Sequence, residues 1–225
     1  GKKVLVVGAG TSGHDVAQDL HGHGAQVKMI QRGSITVASI KAAGLVHSVY
    51  YEEDIPLEDA DGIAIASSYP LLVKGYQAAV VRMKEIDKDL LAGLTKAGFK
   101  LDYGEDETGH QMKFRRRHGG YYLDCGCSEL IAKSEVGLIQ DGDTDHYVEN
   151  GLLMKDGTVE EADLIVTATG YQSQETVVRE LLGDAIADKV GKIWGIASNG
   201  EIANMFVANP QPGLWDRVAA VKRLT

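Results

Sequence analysis

Cysteine is nearly missing from this sequence. Among 225 residues there are two, Cys125 and Cys127, with a single residue between them. That spacing disfavours a strain-free local disulfide. Seven scattered histidines and no second cysteine pair leave the zinc-ligand spacings unfilled, so no metal centre is expected. The two thiols read as small packed residues in a reducing compartment. Basic charge is also short. Lys and Arg number 23 against 32 Asp and Glu, a net charge of -9, which argues against a nucleic-acid partner because phosphate binding is driven by Lys and Arg. The one basic cluster, Arg115-Arg116-Arg117-His118, reads as a solvated face, with a phosphate group of a small ligand as the alternative. There is no signal peptide and no apolar run approaching about 18 residues, so a soluble, cytoplasmic protein without a membrane partner is expected. Internal repeats and low-complexity tracts are absent too. The chain opens on Gly1-Lys2-Lys3 without an initiating methionine and enters an apolar strand at once, so an upstream segment is expected to be missing.

What is present is enough to fold. With 44% hydrophobic residues, the chain can bury one large domain, or one domain and part of a second. Val4 to Val7 is a continuous aliphatic run ending in glycine, as in a central parallel strand covered on both faces. From Thr11 to His23 the period becomes helical, with Val16, Ala17 and Leu20 on one face and Gly22 and Gly24 closing it. Gln26 to Gln31 is a second strand. The first 32 residues thus spell β-α-β, whose crossover is right-handed in nearly all sheets. Residues 54–98 read as a helical insertion: Leu57, Ala60, Ile63 and Ala64 mark one stripe, Ser68 and Pro70 supply start signals, and Leu72, Tyr76, Ala79, Val80, Met83, Ile86, Leu90, Leu94 and Ala97 form a core stripe with a break expected near Gly93. Residues 101–122 mix glycine, charge and aromatics without periodicity and predict a long ordered loop or mobile flap. A short helix near Ser128–Ala132 follows, then strands at 137–140, 147–149 and 151–154, a turn at Asp156-Gly157, and an apolar strand over 162–167 that runs into Ala168-Thr169-Gly170-Tyr171. Residues 175–190 predict one further amphipathic helix.

The chemistry is concentrated in Gly8-Ala-Gly-Thr-Ser-Gly13. A G-x-G-x-x-G carries weight when it follows a strand, opens a helix and lies inside a β-α-β unit, as here. Gly8 permits the tight turn, Gly10 lets a pyrophosphate approach the backbone, and Gly13 brings helix and strand together. The helix start offers amides and a positive dipole end to phosphates, with the Thr11 and Ser12 hydroxyls as further contacts. A NAD-specific protein places Asp or Glu at the end of the second strand to bind the ribose 2'-hydroxyl. This chain has Gln31-Arg32-Gly33-Ser34. A guanidinium there suits a 2'-phosphate, so NADP(H) is favoured. His14 sits in the first helical turn and reads as a neutral residue, since the dipole there disfavours imidazolium.

Two further segments carry a resemblance. Asp163-Leu-Ile-Val-Thr-Ala-Thr-Gly-Tyr171 resembles the strand and A-T-G-Y signature of flavin-containing monooxygenases, and Pro210-Gln-Pro-Gly-Leu-Trp215 resembles a shortened form of that family's P-G-L-W-F region. Gly1–Ser34 and Gly119–Asp124 are similar to its fungal and bacterial members. The resemblance implies an α/β, Rossmann-like three-layer dinucleotide-binding fold with a helical insertion at about 54–98 and a small β-rich segment. It assigns residues 1–165 to an NADP(H)-binding domain and 166–225 to the partial return of an FAD-type domain. Gly8, Gly10, Thr11, Ser12, Gly13 and Arg32 would bind NADPH, and Thr169, Gly170 and Tyr171 would lie where the chain passes between domains. In such enzymes NADPH reduces FAD, and the flavin then activates oxygen toward a small molecule. Departures from the family are large: the first G-x-G-x-x-G, which holds FAD, is absent, Asp216 stands where phenylalanine is expected, and Asp216–Thr225 does not look like the family's closing segment.

Three functions follow. The first is the NADPH-binding portion of a flavin-dependent monooxygenase. The second is a flavin-free NADP(H)-dependent reductase, for which Tyr121, Tyr122 and His118 are the nearest proton-donor candidates. The third is a non-redox cyclase, isomerase or small-molecule binding protein, since function resides in the site and not in the scaffold. No catalytic residue is assigned, the substrate is expected to be a small molecule, and homo-oligomerisation is left open.

Overall fold

The structure is a computed structural model that describes residues 1–205 and 207–214. Its centre is a four-stranded, all-parallel sheet made by β1 (Lys3–Val7), β2 (Gln26–Gln31), β5 (Gly137–Gln140) and β9 (Leu164–Thr167), in the spatial order β5-β2-β1-β9. β1 is central, with Val4 opposite Val27 on one side and Leu164 on the other. Its unbroken apolar run follows from having two faces to cover. Val4 and Val6 join Val27, Met29, Ala17 and Ile131 in one core, while Leu5 turns the other way to pack with Ile30, Ile139 and Leu152.

Those two cores define three layers. The first lies under helices α1 (Thr11–Gly22), α5 (Lys88–Lys96) and α7 (Cys127–Ala132). The second lies under a three-stranded antiparallel meander, β6 (Thr144–Val148), β7 (Gly151–Met154) and β8 (Val159–Glu161), which carries the chain from β5 across to β9. The expected α/β, three-layer arrangement with a small β-rich segment is therefore what the chain forms.

An insertion departs from the end of β2. Ile35 bridges to Leu101, and β3 (Thr36–Ser39) runs parallel to β4 (Tyr121–Asp124), Thr36 opposite Tyr121. Between these strands lie α2 (Ile40–Ala43), a 3-10 turn (Gly44–Tyr51), α3 (Leu57–Ile65), α4 (Tyr69–Ile86), α5 and α6 (Gly109–Arg117). The long helical stripe is divided at Asp87 and not near Gly93. Asp87 is buried, and its carboxylate accepts the Ser39 backbone N–H at 2.8 Å. Gly93 serves another purpose: a Cβ there would come within 3.0 Å of the Ala132 Cβ, so glycine lets α5 approach α7. Val80 and Met83 of α4 pack with Ala42, while Leu94 and Leu90 of α5 reach the main core.

Residues 101–122 are not a continuous loop or flap, because α6 occupies their middle. The stretch 175–190 is likewise two helices, α8 (Gln174–Leu182) and α9 (Asp184–Val190), parted at Gly183 with φ +86°. They form a separate small core of Val178, Ala187, Val190, Ile193, Trp194 and Met205. Trp194 docks this unit on α6: its indole N–H donates to the Phe114 carbonyl at 2.9 Å, and the His118 ring lies 3.5 Å away. Trp215 and residues 216–225, which enter the family resemblance, lie outside the described residues. Among the described residues no helix is long and apolar enough to cross a membrane.

Candidate dinucleotide site

In open parallel sheets, ligands bind beyond the carboxyl ends of the strands, where the strand order reverses. Here that point lies between β1 and β9, and the glycine turn occupies it. Gly8 donates its N–H to the Ile30 carbonyl at 3.0 Å and adopts φ +115°. A Cβ on Gly8 would meet the Ala168 carbonyl oxygen at 2.4 Å, and one on Gly13 would meet the Gly8 oxygen at 2.0 Å. Both glycines are thus dictated by backbone passing over backbone. Gly10 differs, because a Cβ there would meet none of the described residues within 4 Å. The protein itself leaves that space, which is the room a pyrophosphate needs next to the α1 amides.

Some of the other residues singled out in the sequence lie at this turn or at the strand ends of the same sheet. Thr11 and Ser12 are exposed, and the Thr11 hydroxyl donates to the Tyr121 carbonyl at 3.2 Å. Thr169 and Gly170 leave β9 beside Gly8, with the Thr169 nitrogen 3.6 Å from the position a Gly8 Cβ would take. Tyr171 follows, exposed. Arg32 is exposed at the carboxyl end of β2, two residues beyond the Ile30 carbonyl that anchors Gly8, and makes no ion pair among the described residues. No carboxylate stands beside it on that strand end, since Gln31 precedes it and Gly33 and Ser34 follow.

Sequence reasoning missed the clamp below Arg32. Gln31 is buried, and its side chain donates to the Lys100 carbonyl at 2.8 Å while its oxygen accepts from the Lys100 N–H at 2.9 Å and from the Gln140 amide at 3.1 Å. It also missed the pair of Lys113 and Asp102. The ammonium is buried, pairs with the Asp102 carboxylate and donates to the Gly120 carbonyl at 2.9 Å. Burial acts to raise the Asp102 pKa, but hydrogen bonds from Lys113 and Ser34 outweigh it and hold the carboxyl below its ordinary range. These contacts fasten the insertion's return path to the loop that carries Arg32.

His14 is fully buried. Its Nδ1 lies 3.0 Å from the Gly10 carbonyl, its ring stacks on Tyr122 at 3.9 Å with 13° between planes, and Phe99 meets it edge-on at 5.7 Å. Burial pushes its pKa down to about 4, so the neutral residue expected at this position is what the structure contains. The proton-donor candidates do not converge. Burial pushes the Tyr122 pKa up to about 12 while its hydroxyl accepts the Cys125 N–H at 3.0 Å, Tyr121 is half-buried, and His118 lies against Trp194 away from the glycine turn. In the basic cluster, Arg116 is engaged by Asp106 at 2.6 Å and by the Tyr69 hydroxyl at 2.9 Å. Cys127 is buried, with its thiol pKa pushed up to about 12 by burial, and Cys125 is exposed. No cluster of three metal-ligating side chains occurs among the described residues.

No family model matches the chain. Curated relatives do. Indole-3-pyruvate monooxygenase YUCCA1 of Oryza sativa subsp. japonica is 27% identical over 178 residues, which cover 77% of this chain and 37% of that protein. Probable indole-3-pyruvate monooxygenase YUCCA3 of Arabidopsis thaliana is 27% identical over 178 residues, 77% of this chain and 35% of that protein. The chain therefore spans roughly a third of the length of the relatives it matches. Among solved structures, a cyclohexanone monooxygenase variant from Rhodococcus sp. Phi1 bound to NADP+ is similar with a TM-score of 0.46 and 16% identity, over 79% of this chain and 41% of that one. An open cyclohexanone monooxygenase structure has a TM-score of 0.48 and 13% identity, over 80% of this chain and 42% of that one. The resemblance carried by the motifs thus holds as a similarity: over about three quarters of its length the chain is similar, at 27% identity, to these monooxygenases.

Proposed function

We propose that the chain is the NADP(H)-binding portion of a flavin-dependent monooxygenase that oxygenates a small molecule in the cytoplasm. Residues 1–165 serve as the nucleotide domain with its insertion, and 166–225 as the returning segment of a flavin-type domain. The observation that carries this reading is the glycine turn at the β1/β9 crevice, where Gly8 and Gly13 are filled by backbone while Gly10 leaves an opening beside the α1 amides. The amides of Thr11, Ser12 and Gly13 have no helix carbonyl to bond and take the pyrophosphate. Arg32 takes the 2'-phosphate, and Thr169 and Gly170 border the nicotinamide side. Bound NADPH supplies hydride. The 225 residues hold one G-x-G-x-x-G, so the residues present fit one dinucleotide.

The test is a titration of the wild type and Arg32→Ala with NADPH and NADH. Loss of a charged contact to the 2'-phosphate costs roughly 1.5 to 3 kcal/mol, for NADPH alone. Equal weakening of both nucleotides refutes the role of Arg32. A wild-type chain that binds neither removes the reading.

A further inference from the structure

The Gly10 carbonyl accepts two hydrogen bonds from one residue, the backbone N–H of His14 at 3.1 Å and the imidazole Nδ1 at 3.0 Å. The first is the opening bond of α1. The second uses the remaining lone pair, so the carbonyl is held from two directions. A trans peptide is planar, with its C=O and N–H pointing oppositely. Fixing the Gly10 oxygen along the helix therefore fixes the Thr11 N–H outward, toward the opening that Gly10 leaves. The imidazole in turn cannot swing away, because Tyr122 lies flat against one face and Phe99 closes its edge. Because a carbonyl can only accept, the Nδ1 that faces it carries the proton, and the buried Nε2, which has no partner among the described residues, is left as the bare nitrogen. A solvent-facing residue in the first turn would need none of this. The same side of α1 is laced to the insertion's return strand, through Thr11 to the Tyr121 carbonyl and Gln18 to the Cys125 carbonyl at 3.2 Å each.

We infer that His14 is a positioning residue for the pyrophosphate, acting through the Gly10–Thr11 peptide, and that the Tyr122 ring of the insertion holds it in place. This rests on the nucleotide reading above and adds to it that the insertion is part of the phosphate site. Two substitutions separate the imidazole's parts. His14→Phe keeps a ring to stack on Tyr122 and loses the donor, whereas His14→Asn keeps an N–H near the Nδ1 position and loses the stack.

In the full chain, His14→Phe should weaken NADPH and NADH alike by about tenfold, the value of one lost hydrogen bond, and leave adenosine 2'-phosphate, which lacks a pyrophosphate, unchanged. His14→Asn should recover most of the NADPH affinity. The inference is overturned if His14→Phe binds NADPH as the wild type does, or if adenosine 2'-phosphate weakens in the same proportion, the signature of a purely structural role. Nitrogen NMR of the wild-type ring gives a check independent of any variant's folding: a proton on Nδ1 is expected, and one on Nε2 overturns the inference. Arg32→Ala gives the opposite ligand pattern, so the two roles fail separately, and a wild type that binds none of the three ligands sinks both.

Discussion

The glycine turn and helix α3 were both marked by sequence pattern, and they behave differently. In the turn, each of the three glycines is held by the fold: Gly8 lies under Ala168, Gly13 under Gly8, and the Gly10 carbonyl is engaged by His14. In α3 only Ala60 is buried, while Leu57, Ile63 and Ile65 are 64%, 54% and 84% exposed. A helical period says which residues share a face. It does not say whether anything covers that face, and in α3 few of the described residues do. A turn motif says more because strand, backbone reversal and helix start must all agree within a few residues.

The contrast can be broken most severely within the turn. Gly13→Ala drives a methyl group into the Gly8 backbone and should cost roughly 3 kcal/mol, seen as a lower urea midpoint. Gly10→Ala has open space and should cost less than about 1 kcal/mol, yet NADPH binding should fall sharply in a titration. If both glycines prove equally structural, the opening at Gly10 is not kept for a ligand.

A smaller effect comes from acid. His14 and His110 are both buried, and burial lowers each pKa from 6.5 to about 4. Asp124 faces His14 and acts in the opposite direction, as do the carbonyls of Gly10 and Ala9, while His47 adds to the lowering at His110. The unfolded chain takes up these protons first, so the stability they contribute is intact above pH 6.5 and is lost as pH falls toward 4. Each histidine should remove about 2 kcal/mol between pH 7 and pH 5. Asp102 and Asp106, whose pKa values are lowered, keep their contribution throughout that window and lose it only as pH falls below the ordinary carboxylate range. Urea midpoints across this range, repeated with His14→Phe, should show a shallower slope in the variant. The smallest effect belongs to α3, where Ile65→Ser should change stability by less than about 0.5 kcal/mol. A larger loss would mean that the exposed face is covered after all.

Much of the sheet side was legible. β1, α1 and β2 follow from one apolar run, one helical period and one turn. The rest was hidden for definite reasons. Helix α6 reads as Gly-His-Gln-Met-Lys-Phe-Arg-Arg-Arg, and its buried positions include His110 and Lys113, so its inward face is ionisable and no apolar stripe marks it. Lys113 is buried because Asp102 reaches it from elsewhere in the fold, which local pattern cannot report. Gln31 is a polar residue at a strand end, normally a sign of solvent, yet here it is enclosed by Lys100 and Gln140. The break at Asp87 depends on Ser39, and Gly93, the nearer helix breaker, is there for α7. Each failure concerns a side chain whose partner is distant in sequence.

The pairing of β3 with β4 has a consequence for how this chain could have been built. The two strands run side by side, so Ser39, where the insertion leaves, and Tyr121, where it comes back, are separated by about the length of a four-residue strand, on the order of 10 Å. Some eighty residues are thereby added at a seam that a few residues could close. Insertions with neighbouring ends cost little closure entropy and leave the host framework in register. Changes in length, helix number or surface between Ser39 and Tyr121 can accumulate while Gly8, Gly10 and Arg32 keep their places, and whatever distinguishes this chain from its relatives can be written there.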